Sequence, residues 1–193
     1  FSAGGDLVTL AEDTAMILRE APILGLNLNL TKCEIFTKVT RDHLPGIFRP
    51  FSLLPPEDLS ILGAPLFPGH ALDTCLEARC AELERAAKRF PNISSHDALV
   101  ILKNTMGSCK LLYTLRSSPC SDNPILDKFD LLLRQALSLI TNSDLSDSAW
   151  SQASLPVANG GLGIRSVVLL APSAFLASAA ATFIMIVQQS LMG

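Results

Sequence analysis

The sequence predicts an α+β chain that is mostly α, and three observations carry that expectation. Leu26, Leu28 and Leu30 alternate with Asn27 and Asn29, the period-2 signature of a half-buried strand. From Ala71 onward, apolar residues recur at helical spacing for most of the remaining chain. Between these regions Pro45, Pro50, Pro55 and Pro56 punctuate the chain too closely for any long element. The expected division is a β-hairpin-bearing region over 1–67 followed by a helical bundle over 68–193.

In chain order, Asp6 caps a first helix over 6–21, with Leu7, Leu10, Thr14, Ile17 and Leu18 at helical spacing. Pro22 ends it and Gly25 completes the turn. Leu26–Lys38 is expected to form a β-hairpin turning at Thr31-Lys32, its leucine face covered by the first helix. Leu59–Leu66 reads as a short apolar strand bent at Gly63-Ala64-Pro65. Ala71–Phe90 is a helix with Leu72, Cys75, Leu76, Cys80, Leu83 and Ala87 on one face and Glu77, Glu84 and Lys88 opposite. Arg79 interrupts that stripe, its stem along the core and its head toward water, and Pro91 stops the helix. Ser94-Ser95 opens one helix running to Ser117. Ile125–Thr141 buries Phe129, Leu132, Leu133, Ala136, Leu137 and Ile140, and Asp147–Ala153 is a short helix carrying Trp150. Asn159–Gly163 is a flexible turn, after which Ser166 caps a long final helix.

The 193 residues are 49% apolar and 17% charged, a low charge fraction that fits a globule with some apolar surface left for a partner segment. Net charge is −3, which does not advertise a nucleic-acid binder, but the largest basic block, 85–134, lies between acidic flanks. Five cysteines without CxxC spacing point to reduced thiols rather than a disulfide framework or zinc site. Three widely spaced histidines lack the i,i+4 spacing of a metal pair. No charged n-region precedes an apolar core, so the chain is expected to be intracellular, in nucleus or cytoplasm, and not secreted. It opens on phenylalanine and is expected to be a piece of something longer.

Four segments, in order, resemble the reverse transcriptases of non-LTR retrotransposons: LGLNLNLTKCEIF (Leu24–Phe36), ILGAPL (Ile61–Leu66), ASLPVANGGLGIRS (Ala153–Ser166) and APSAFLASAAAT (Ala171–Thr182). The resemblance implies the end of a polymerase palm, a short hairpin that grips the primer end, then a helical thumb and the region downstream of it. Phe1–Gly4 is similar to the loop just after the Y/F-x-D-D metal motif. The chain holds no Asp-Asp dipeptide, so no catalytic residue and no metal ligand is assigned to it, and no cofactor is expected in this piece. Mg²⁺ is expected only for the complete polymerase, where paired carboxylates hold two ions. The implied partners are an RNA/DNA template–primer duplex, bound weakly, and the fingers and remaining palm of the same polyprotein.

The nucleic-acid-binding candidates are Lys32, Lys103, Lys110 and Arg116. By the resemblance Lys32 points toward nucleotide phosphates; by residue type alone Lys32 and Glu34 are turn residues that keep an apolar hairpin soluble. Lys103 and Lys110, seven apart on the expected helix, share a face, with Arg116 displaced from it. Such cations suit duplex phosphates without base readout. The other reading is a solvated face diluted by Asp97 and Asp130. Arg85, Lys88 and Arg89 are read as surface ion-pair residues, with Glu84 four before Lys88. Glu77, Glu82 and Glu84 are expected to face solvent. A non-catalytic helical protein-interaction remnant is the alternative function. Residues 166–193 carry no charge over 28 positions, enough to span a bilayer, yet the alanines, Pro172, Gln188 and Gln189 favour a buried or partner-facing helix and no membrane association.

Overall fold

A computed structural model describes residues 3–192, with side chains described for 3–183. Seven α-helices dominate it: α1 Leu7–Glu20, α2 His70–Ala87, α3 Ser95–Ile101, α4 Ser108–Ser117, α5 Ile125–Thr141, α6 Asp147–Ser154 and α7 Val167–Met192. Four two-residue strands complete it: β1 Glu34–Ile35, β2 Ser52–Leu53, β3 Ser60–Ile61 and β4 Ala64–Pro65. The mostly helical α+β class expected from the sequence is the class observed.

Capping chemistry sets several helix starts. Asp6 Oδ1 accepts from the Val8 and Thr9 amides at 2.9 and 3.0 Å, and the Thr9 hydroxyl, donating to Oδ2 at 2.6 Å, leads these bonds in holding its carboxyl below the usual range. Ser94, Ser146 and Ser166 each accept a backbone amide in the first turn of α3, α6 and α7. The core is built from α2 to α7. Leu72, Leu76 and Leu83 of α2 meet Phe129, Leu133 and Leu137 of α5, while Leu111 and Leu115 of α4 and Val167 and Ala171 of α7 close the far side.

The expected hairpin over Leu26–Lys38 does not form. Asn29 instead accepts from the Thr31 amide and hydroxyl at 3.1 and 2.8 Å, and Leu30–Lys32 is a 3₁₀ turn. An asparagine side chain that captures its own backbone competes with a ladder, and Thr31-Lys32 does not supply the positive φ that a two-residue hairpin turn needs. Only Glu34–Ile35 of the return segment is a strand, and it pairs in parallel with β2, Glu34 opposite Ser52 and Ile35 opposite Leu53. Helix α1, which has no fully buried residue, rests on the Gly46–Phe48 turn rather than on a hairpin.

A hairpin does form at β3–β4, antiparallel, where the sequence shows a bent apolar strand. Leu62 and Gly63 supply φ values of 52° and 76°, the left-handed pair of a two-residue turn. The single helix expected from Ser95 to Ser117 is two helices. A π-type turn over Leu102–Met106 and Gly107, at φ −80° and ψ −142°, separate α3 from α4. A Cβ on Gly107 would lie 2.9 Å from the Leu102 carbonyl, so the break depends on glycine.

Candidate nucleic-acid interface

The four candidate cations do not converge, and the break at Gly107 is the first reason. Lys103 lies in the π-type turn and Lys110 in α4, so two-turn spacing no longer puts them on one face. Lys103 is half-buried over the Gly160–Gly163 loop, its Cε and Nζ each 3.0 Å from where a Cβ on Gly163 would stand. Lys110 Nζ lies 3.1 Å from Glu82 Oε2, a buried oxygen with no well-aligned hydrogen bond, while Arg79 donates to Glu82 Oε1 at 2.9 Å. Glu82 is therefore inside an ion triad and does not face solvent as expected. Burial raises its carboxyl pKa, but the Lys110 ammonium beside it and the Arg79 guanidinium bonded to it outweigh burial and hold it below the usual value. The Arg79 head ends on this carboxylate rather than in open water.

Arg116 remains exposed on α4, and among the described residues it makes no ion pair. It stands one turn from Tyr113, whose hydroxyl donates to the Leu62 carbonyl at 3.0 Å. Ser118 Oγ, fully buried, donates to the Pro65 carbonyl at 2.6 Å. These two bonds fasten the backbone of the hairpin's tip and of its Pro65 end to α4 and its C-cap, while the Leu62 side chain stays 90% exposed. Phe67 follows the hairpin and packs against Phe36 with ring centroids 5.9 Å apart. Lys32 is exposed at the end of the 30–32 turn, which makes no substantial contact with α4.

The diluting acids differ from expectation. Asp130 is drawn inward and forms a tertiary cap on α7, accepting from Ser166 Oγ at 2.5 Å and from the Val167 amide at 2.8 Å. Burial pushes its pKa up, and those bonds offset part of the push. Asp97 stays in its helix cap, accepting from Ser94 Oγ at 2.7 Å. Among the described residues the Glu84–Lys88 ion pair is not formed, although Lys88 is helical and its amide donates to the Glu84 carbonyl at 3.2 Å. Glu77 pairs across to Lys128 of α5 at 2.6 Å, raising the Lys128 pKa. Neither Tyr113 nor Ser118 announces its tertiary partner in the sequence; a bond to a residue more than fifty positions away leaves no local pattern.

Two open grooves flank these elements. One, about 540 Å³, is lined by Phe36, Lys38, Leu53 and Pro55 among others. The other, about 790 Å³, lies between α5 and the 142–145 loop, where Arg134 donates to the Leu145 carbonyl and to Asp147 Oδ1. Among the described residues no three His, Cys, Asp or Glu side chains gather where they could hold a metal ion. The carboxylates present do not fit the paired-metal site that the resemblance associates with a complete polymerase. All five cysteines are free thiols, and burial pushes Cys80 up to about 11. Among the described residues no helix is long and apolar enough to cross a membrane; Gln188 and Gln189 lie outside the described side chains. No protein-family model, curated protein or solved structure matches the chain.

Proposed function

We propose that this chain is part of a retrotransposon-type RNA-directed DNA polymerase and handles the template–primer duplex without carrying the metal-binding aspartates. The observation that supports this reading most directly is the β3–β4 hairpin clamped to α4 by Tyr113 and Ser118. Its exposed apolar tip at Leu62 is anchored to the helix that carries Arg116, which makes no ion pair among the described residues. A guanidinium and an apolar projection carried by one helix suit a sugar–phosphate backbone, where cations give affinity and no base needs to be read. Lys103 and Lys110 are withdrawn from this role, and Lys32 lies on the separate 30–32 turn rather than on α4. The interface is therefore narrower than four cations.

Anisotropy titration of the whole chain with a labelled RNA/DNA primer–template tests it. Arg116→Ala is expected to weaken binding about tenfold and to lower the salt slope by about one, the signature of one lost phosphate contact. Binding unchanged by Arg116→Ala, or absent even at low salt, removes the proposal. The second reading, a helical protein-interaction remnant, is favoured by the Lys110–Glu82–Arg79 triad, which spends the central cations internally.

A further inference from the structure

The parallel pairing of β1 with β2 gathers cations that lie far apart in the chain. Glu34 stands opposite Ser52, and the Ser52 amide donates to the Cys33 carbonyl at 2.9 Å. Because the strands run the same way, Lys32 before β1 and Arg49 before β2 enter at the same end of the pair. Arg41 joins them from the 41–43 turn, where its Nη2 donates to the Arg49 carbonyl at 3.2 Å. That bond sets the Arg41 guanidinium against the backbone that carries the Arg49 side chain. All three residues are exposed, and none makes an ion pair among the described residues. Over 32–50 four Lys or Arg meet only two acids, Glu34 and Asp42, in a chain whose net charge is −3. Both acids are exposed, and neither is paired to these cations.

We propose that Arg41 and Arg49, extended by Lys32, form a second surface for the phosphodiester backbone of a nucleic acid, separate from Arg116. The inference rests on the reading of this chain as a nucleic-acid handler and adds a contact outside α4. Like charges held together repel, and a hydrogen bond that fixes Arg41 beside Arg49 leaves that repulsion uncompensated. A phosphate between them reverses the sign. Its oxygens accept from the guanidinium donors that remain, and the planar fork of arginine matches that geometry. Charge thus selects a polyanion. The aromatic residues of the segment, Phe48 and Phe51, are buried against each other with ring centroids 5.4 Å apart, so neither is offered for base stacking. The surface therefore grips backbone and reads no base. Every nucleotide carries a phosphate, so a fixed pair of arginines finds an anion in any register.

Anisotropy titration of the whole chain with a labelled RNA/DNA primer–template, repeated over a salt series, is the test. Arg49→Ala, Arg41→Ala with Arg49→Ala, and Arg116→Ala are compared with wild type. Arg49→Ala is expected to weaken binding about tenfold and to lower the salt slope by about one, and the double variant by about two. These losses should add to that of Arg116→Ala, since the sites share no residue. Arg41→Ala also removes the bond to the Arg49 carbonyl, whereas Arg49→Ala removes only an exposed side chain, and thermal melting should show it folded. Binding that Arg116→Ala weakens while Arg49→Ala and the double variant leave it unchanged overturns this proposal and spares the earlier reading. The converse pattern supports this surface and removes Arg116. Arg49-dependent binding of polyglutamate or phosphatidylserine vesicles, without binding of nucleic acid, overturns both.

Discussion

At Glu82 and Asp130 two half-buried carboxylates are shifted in opposite directions. Glu82 sits between two cations, and its folded pKa lies below its ordinary value of 4.5. Its contribution to stability is therefore present above pH 4.5 and lost as pH falls through the folded value. Asp130 has no cation beside it, and burial lifts its pKa above 3.8. Its favourable contribution is fully present below 3.8 and is lost as pH rises through the folded value. Urea unfolding across the acid range should separate the two. The deficit of Glu82→Gln relative to wild type should shrink as pH falls below 4.5, whereas Asp130→Asn should gain on wild type as pH rises above 3.8. Matching pH dependences for the two variants would show that the ion triad does not govern Glu82.

Elements in this chain are held in place by backbone approaches that a side chain would block. Where Gln152 and Leu155 close the end of α6 against the glycine loop, a Cβ on Gly161 would stand 2.0 Å from the Leu155 carbonyl and 2.7 Å from that of Gln152. Backbone cannot rotate away as a side chain can, so the loop must move. Gly161→Ala is expected to cost about 1–3 kcal/mol, the range for forced overpacking, measured by denaturant midpoint at unchanged slope. Loss of under half of the lower figure would mean the loop is slack. The same logic explains the split of α3 from α4. The apolar periodicity continues smoothly through Gly107, so periodicity alone predicts one helix, while the close approach of Gly107 to Leu102 is a contact that no local pattern records.

Across the whole molecule, stability resides in the helical core. Leu133 of α5 is fully buried and its Cδ2 would sit 3.8 Å from a Cβ on Gly107, so it fills the space beside the helix break. Leu133→Ala is expected to cost about 2–5 kcal/mol in urea unfolding, through lost burial and the cavity left behind. Residues 1–67 add little to that core. Leu44, Phe48, Phe51 and Ala64 are buried there, but Leu24 and Leu26 remain 76% and 62% exposed.

The sequence by itself determined the elements whose signals are local. Asp6, Ser94 and Ser166 cap their helices as their residue types and spacing require, and α5 spans Ile125–Thr141 with five of its six expected apolar positions buried. Tertiary structure alone decided the rest. The parallel partner of Glu34–Ile35 came from Ser52–Leu53, across a proline-rich connection, whereas the turn that replaced the expected strand is local, closed by Asn29 on Thr31 two residues on. At the candidate interface the same division holds. Arg116 is exposed as its place on the helix suggests, but Lys110 is neutralised by Glu82 from another helix and Lys103 is folded onto a glycine loop. Helical spacing fixes which residues share a face. It does not fix whether that face meets water or a carboxylate, because that depends on how separate helices pack.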